Sequence, residues 1–251
     1  MSSEKNAAAA MSAEIGTAVF WDAAEKIHGP WTLAHRTVES VRALRPDDHA
    51  IGPAYTIRLR RASDSSASNR EDFLRAYDEA PEGAVVVVEV QTDIGGCAMG
   101  DLVAHRLSQC KVAGVIINGS IRDLVGLKQI APPTWYRAIT MAGPISREIA
   151  VEIGVDVTVG GAVIRSGDLV CADVDGVFVT PKDEAAKIQE KAREIVAKEA
   201  VINARLAAGG SATAMSWFAA GGSIGFFVAP ALATPALDAF GVRATALFLP
   251  P

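Results

Sequence analysis

Residues 85–123 read VVVVEVQTDIGGCAMGDLVAHRLSQCKVAGVIINGSIRD. Val85 to Val90 is an apolar run bounded by turn residues, the pattern of a strand covered on both faces. Thr92 to Met99 reads as a loop holding Gly95-Gly96. Gly100 to Lys111 has helical periodicity, with Leu102, Val103 and Leu107 on one face. Gly114 to Ile117 is a second buried strand; Asn118-Gly119 predicts its end, and Ile121-Arg122-Asp123 opens the next helix. This strand-loop-helix order, given twice, predicts an α/β protein with two loops at the carboxyl ends of two strands. Small ligands bind at that edge of α/β sheets.

Upstream, Thr17 is placed to cap a helix from Ala18 to Lys26. Ile51 to Leu59 predicts a strand, Arg61 to Asn69 a Ser-rich loop, and Glu71 to Glu79 a helix. After Pro132-Pro133 the chain turns β-rich: residues 134–138, 155–159, 162–164, 169–172 and 176–179, punctuated by Gly160-Gly161, Gly167 and Gly176. Lys182 to Leu206 is a long amphipathic helix ended by Gly209-Gly210. The expected organisation is one mixed α/β domain over residues 1–208 and a Gly/Ala-rich extension over 209–251. The stretch from Leu206 to Leu237 is uncharged, but its Gly, Ala, Ser and Pro content is wrong for a membrane span. It suits packing on the domain or on a neighbouring subunit.

The chain has 251 residues, half of them hydrophobic, and a formal net charge of −5. That balance argues against a general nucleic-acid surface. An acidic protein that binds an acidic substrate must concentrate positive charge locally, at an Arg, a helix N-terminus or a metal. Cys97, Cys110 and Cys171 match no zinc spacing and form no even framework, which predicts reduced thiols in a cytoplasmic protein. Cys97, in the Gly-rich loop, reads either as a packing residue or as a reactive thiol. The Ala7 to Ala10 run is too short for a signal-peptide core.

Two features carry chemistry. The helix beginning at Gly100 directs backbone amides back toward a Gly-rich loop, so a substrate carboxylate could sit on the amides of Gly100, Leu102 and Val103. The same glycines also suit a plain turn, and their spacing is wrong for a dinucleotide fingerprint. Arg122-Asp123 follows a buried strand. The carboxylate can hold Mg²⁺ or Mn²⁺ through oxygen, and the guanidinium can face a carbonyl oxygen that becomes an enolate. The plain alternative is a helix-start Asp beside a solvated Arg. His105, four residues after Asp101, reads as a structural partner of that Asp or as a proton shuttle. Asp173 and Asp175 read as turn chemistry, and Trp135-Tyr136 as a strand packing edge.

The stretch GDLVAHRLSQCKVAGVIINGSIRD resembles the signature of RraA-like proteins and class II 4-hydroxy-4-methyl-2-oxoglutarate (4-carboxy-4-hydroxy-2-oxoadipate) aldolases: an Asp, twenty residues, then Arg-Asp. GTAVFWDA, IGPAYTI and VGGAVIRSGDLVCADVDGVFVTP are similar to that family in the same order, and together they cover most of residues 15–207. The resemblance implies a β/β/α layered sandwich assembled as trimers or hexamers with sites between subunits. It implies a metal on Asp123 and substrate on Arg122 and on the backbone of Gly100, Asp101, Leu102 and Val103. Arg122 would stabilise a pyruvate enolate, and Asp101 would act beside the metal or position a water on it. Glu199 is similar in position to an acid that a neighbouring subunit contributes; its plain reading is a solvated helix carboxylate.

Two departures stand out. The aldolases carry an acid three residues after the motif Asp, where this chain has Gly126, and Asn118 replaces a common Asp. The first predicts weak Mg²⁺ affinity. The expected function is therefore a metal-dependent lyase that releases pyruvate from a 4-hydroxy-2-oxo acid, with oxaloacetate decarboxylation through the same enolate. The alternatives are an RraA-like regulator of a ribonuclease and a lyase for another oxo-acid. No nucleic-acid or membrane partner is expected.

Overall fold

The computed structural model describes residues 15–29, 33, 36–62, 70–91, 95–143 and 149–207. The expected extension over 209–251, the helix stop at Gly209-Gly210 and most of the Ser-rich loop lie outside those residues.

A sheet organises the molecule. Its strands are β1 (Thr37–Val38), β2 (Arg42–Ala43), β3 (Ala50–Arg61), β4 (Val85–Val90), β5 (Gly114–Ile121), β6 (Thr134–Ile139), β7 (Ile149–Ile153), β10 (Leu169–Ala172) and β11 (Val177–Thr180). Their order is β1-β11-β10-β3-β4-β5-β6-β2, with β7 also on β3. β8 (Val157–Val159) and β9 (Ala162–Ile164) form a separate hairpin. The helices are α1 (Thr17–His28), α2 (Arg70–Asp78), α3 (Asp101–Gln109), α4 (Leu124–Ile130) and α5 (Ala185–Ala207).

The alternation along β4 shows how the layers arise. Val86 and Val88 face a core shared with Val103 and Leu107 of α3 and Leu127 of α4. Val85 and Val87 face the opposite way, onto Val157 and Ile164 of the hairpin and Val170 and Val179 of the sheet's other half. A strand covered on both faces needs no polar alternation, which is why this segment reads as an apolar run. Glu89, at its end, accepts from Arg58 Nε at 2.9 Å and from the amide of Thr158 at 3.1 Å, so it ties the hairpin to the sheet. A third core sets Phe20 and Ala24 of α1 and Ile188 and Ala192 of α5 against Cys171 and Phe178. Helices, sheet and a second β layer thus stack as a β/β/α sandwich.

β3 has a different partner along each part of its length. Ala50–Pro53 pair antiparallel with β10, Ala54–Leu59 run parallel to β4, and Ile57–Arg61 pair antiparallel with β7.

Four local expectations change. Thr17 does not cap its own helix: Gly16 is the cap residue, and Thr17 donates its amide and hydroxyl to Asp173 at 2.7 Å each. Leu102 is 68 % exposed, and Ala104 joins Val103 and Leu107 on the buried face instead. The second strand does not stop at Asn118-Gly119 but continues to Ile121 through a register shift against β6. Gly119 is there because a Cβ would lie 2.6 Å from a Val90 methyl, so the residue answers to crowding rather than to a turn. Finally, Ile149–Ile153 forms a strand that the sequence pattern does not predict.

Candidate active site

The Gly-rich segment before α3 is laced to the end of β5. Ala98 N donates to Ser120 O at 2.8 Å and Arg122 N to Met99 O at 3.1 Å, and Met99 and Ile121 form a parallel bridge. From α2, the buried Tyr77 hydroxyl donates to Ala98 O at 2.9 Å. These bonds fix the start of α3 beside Arg122 and Asp123.

Asp123 is in the left-handed region, with φ 62° and ψ 37°. Asp tolerates that conformation better than most residues, at some cost in strain. The turn places its side chain back over α3 while its carbonyl accepts from Leu127 N at 2.9 Å and starts α4. Asp123 Oδ2 lies 3.2 Å from Arg122 Nε and 3.4 Å from the amide of Asp101. Asp101 Oδ1 takes the amide of Leu102 at 2.8 Å. The chain's own carboxylates therefore stand at the amino end of α3, where the backbone dipole favours an anion. Gly100, Asp101, Leu102, Arg122 and Asp123 come together in one place, with Val103 buried in the same first turn of α3.

Arg122 Nε is close enough to Asp123 for an ion pair, but its N–H is not directed at the carboxylate. Among the described residues it is a buried donor with no acceptor. Buried donors are almost always satisfied, so one left open beside two carboxylates and a helix N-terminus marks a place for an acceptor from outside. Gly100 keeps that place open: a Cβ there would meet Asp123 Oδ2 at 2.8 Å and Arg122 Nε at 3.3 Å.

The donor set bears on a metal. Among the described residues no group of three or more His, Cys, Asp or Glu is placed to hold an ion. Asp123 Oδ1 accepts no hydrogen bond among them, and the side chain is 39 % exposed. One free carboxylate oxygen suits a hard cation that keeps most of its waters, as Mg²⁺ does, and not a caged metal. Among the described residues nothing within 4 Å would meet a Cβ on Gly126, so the position of the missing acid is open there. Glu199 is exposed on α5 beyond Val196, in a second unit of the chain.

The remaining candidates separate from the site. Cys97 is buried, and burial pushes its thiol up against the opposing pull of Arg122, so it packs and is not an activated nucleophile. His105 is exposed and makes no hydrogen bond with Asp101 among the described residues. Asp173 accepts from Asp175 N at 2.9 Å, the expected turn, and also holds α1 through Thr17. Trp135 is fully buried and donates to Asp173 O at 2.7 Å. A cleft of about 440 Å³ lies beside Trp21, Trp135 and Phe178, but Asp173 in its wall is already committed to Thr17.

A smaller cleft of about 140 Å³ opens at the carboxyl ends of β4, β5 and β6. Gln91, Asn118, Ser120, Arg137 and Thr140 line it. Sequence pattern did not single out Ser120, Arg137 or Thr140, because no motif marks them and β6 reads as packing.

Residues 17–179 match the family model described as RraA-like, Aldolase/RraA. The chain belongs to the RraA-like family. One RraA-like relative, from Halalkalibacterium halodurans, is named "Putative 4-hydroxy-4-methyl-2-oxoglutarate aldolase"; it is 30 % identical over 155 residues, which are 62 % of this chain and 70 % of that protein. Among solved structures, RraAS2 of Streptomyces coelicolor, described as an unusual member of the RNase ES inhibitor RraA protein family, superposes with a TM-score of 0.61 at 25 % identity, over 76 % of this chain and 91 % of that one. An uncharacterized protein of Pseudomonas syringae has the same fold, with a TM-score of 0.66 at 21 % identity over 79 % and 87 % of the two chains. The layered RraA-like sandwich expected from the sequence is the fold observed. No helix among the described residues is long and apolar enough to cross a membrane.

Proposed function

We propose that this RraA-like protein is a divalent-metal-dependent lyase that releases pyruvate from a 4-hydroxy-2-oxo acid. The observation that carries this reading is the open, buried Nε–H of Arg122, held beside Asp123 and the amino end of α3.

Asp123 would hold Mg²⁺ or Mn²⁺, with Asp101 and a neighbouring subunit's copy of Glu199 acting through water. When bound, the metal supplies Lewis-acid polarisation of the 2-oxo acid. The rest falls to side chains and backbone. The substrate's carboxylate displaces Asp101 from the amides at the start of α3. Arg122 donates to the 2-oxo oxygen. As the C3–C4 bond breaks, its electron pair passes into pyruvate enolate, and Arg122 faces the charge that develops on that oxygen. The 4-hydroxyl proton leaves to water oriented by Asp101, C4 becomes a carbonyl, and C3 of the enolate takes a proton to give pyruvate. Oxaloacetate would yield the same enolate by losing CO₂. A trimer or dimer of trimers would bring Glu199 to a neighbour's site, with the extension over 209–251 supplying apolar surface for assembly.

The test is pyruvate release from a panel of 4-hydroxy-2-oxo acids and oxaloacetate, with Mg²⁺ and with excess chelator. Release that stops in chelator is expected; full activity there overturns the metal. No release from any member of the panel favours the second reading, a non-catalytic ribonuclease regulator. Two observations support that reading: the absent acid at Gly126, and the likeness to a Streptomyces protein of the RNase ES inhibitor family.

A further inference from the structure

The segment that leads into α3 pairs irregularly with the end of β5. In a regular parallel ladder one residue donates its amide to a partner-strand carbonyl and accepts at its own carbonyl from the residue two further along that strand. Here the two bonds are divided. Ala98 N donates to Ser120 O at 2.8 Å, and it is Met99 O that accepts from Arg122 N, at 3.1 Å. The extra residue is a bulge, a device that re-aims the chain beside functional sites. It leaves the carbonyl of Ala98, a fully buried residue, outside the ladder.

Tyr77 takes that carbonyl. Its hydroxyl donates to Ala98 O at 2.9 Å, and among the described residues no other donor reaches that oxygen. The side chain is fully buried on α2 and stands edge-on to Phe73, with ring centroids 5.3 Å apart. Burial pushes the phenol well above its ordinary range, which keeps it protonated and a donor. The bonds from Cys97 N to Gly143 O, from Ala98 N to Ser120 O and from Arg122 N to Met99 O are all backbone to backbone. Among the described residues, Tyr77 alone holds residues 97–99 through a side-chain hydrogen bond. Without its hydroxyl the buried carbonyl has no donor, which is costly, and the ladder offers it the Arg122 amide. Taking that bond shifts the segment by one residue against β5 and carries Gly100 and the amides after it away from their place beside Asp123.

We propose that Tyr77 is a positioning residue: by holding the Ala98 carbonyl out of the ladder, its hydroxyl sets the amides at the start of α3 in register with Arg122 and Asp123. Tyr77 touches no substrate, and it acts through the bulge. The proposal rests on the lyase reading only for the identity of the anion that those amides and Arg122 receive together.

The test is Tyr77→Phe, which removes one oxygen and keeps the ring on Phe73. Its matched control is Thr134→Val. That change removes another buried hydroxyl, bonded to Pro132 O at 2.7 Å, at the amino end of β6 and so at the edge of the sheet away from the site. Oxalate binding is measured by calorimetry at saturating Mg²⁺, since oxalate has the planar shape and charge of pyruvate enolate and cannot be cleaved. Both variants should melt below the wild type. Tyr77→Phe should bind oxalate more weakly by about tenfold or more, the order that a displacement of about 1 Å costs. Thr134→Val should stay within about twofold, because distant sites act independently. Unchanged oxalate affinity in Tyr77→Phe, an equal loss in both variants, or no oxalate binding by the wild type overturns the proposal. A Tyr77-dependent oxalate site in a protein that releases no pyruvate overturns the lyase reading and leaves the positioning role standing. Pyruvate release with oxalate binding indifferent to Tyr77 does the reverse.

Discussion

The carboxylate of Asp123 and the α-carbon of Gly100 are so close that a methyl group on Gly100 would stand 2.8 Å from Oδ2. Gly100 does not need its conformational freedom, since its φ is −130°. Its role is to leave room. Gly100→Ala should therefore fold, because the atom in the way is the end of a movable side chain, but Asp123 must swing off its present position. Expected results are a thermal midpoint within a few degrees of wild type and a loss of Mg²⁺ affinity of about tenfold or more by titration, the size of a displaced ligand partner. Unchanged affinity would show that Asp123 is not held where a metal needs it.

Arg122 is predicted to carry the developing oxyanion. Arg122→Ala should lower turnover on the order of a hundredfold or more. Arg122→Lys should also be poor, because a point charge on a flexible stem does not reproduce the Nε–H direction. Near-normal turnover in either variant would remove Arg122 from the chemistry.

Gly126 tests the missing acid. Among the described residues a Cβ there meets nothing within 4 Å, and the residue lies in α4, so a longer side chain has both room and a helical backbone. Gly126→Glu should tighten Mg²⁺ binding by about ten- to a hundredfold, the range for restoring a partner to a metal's waters. It should also raise stability by up to about 1 kcal/mol through helix propensity alone. A variant that is stabilised but keeps the wild-type Mg²⁺ midpoint would show that the position is not a metal partner in this chain.

Stability at acid pH should report the Glu152 cluster. Hydrogen bonding to Arg60, with further help from Arg58, holds the Glu152 carboxyl below its ordinary 4.5. A depressed carboxylate stabilises the fold fully above its unfolded value and loses that contribution as the pH falls through the folded one. Glu152→Gln should therefore melt lower than wild type at neutral pH, and the gap should close as the pH drops below 4.5. Thermal melts across that range check it; a gap independent of pH would refute it.

Much of this was readable from the residues in order, and the exceptions have physical causes. Val85–Val90, α3 and the β8-β9 hairpin follow from apolar runs, helical spacing and paired glycines. The Asp101 and Arg122-Asp123 cluster followed from strand ends and a resemblance. Ile149–Ile153 was not readable, because its strand character comes from pairing with the far half of β3. β1 and β2 are two residues each and are defined by their partners. Asn118-Gly119 has the composition of a turn, and only the packing of Val90 shows why Gly119 lies within a strand. The left-handed Asp123 and the open Nε–H of Arg122 are three-dimensional facts with no local signature.

The divided pairing of β3 also has a consequence for how the chain is made. Its amino-terminal third waits for β10, which leaves the ribosome more than a hundred residues later. At about 5–20 residues per second that wait is on the order of ten seconds. Through that interval Ala50–Pro53 is an unpaired sheet edge on a nascent chain whose parallel core can already be closing. The step sets a high contact order and slow completion of the fold. Until β10 arrives, that unpaired edge is a template for pairing with another chain.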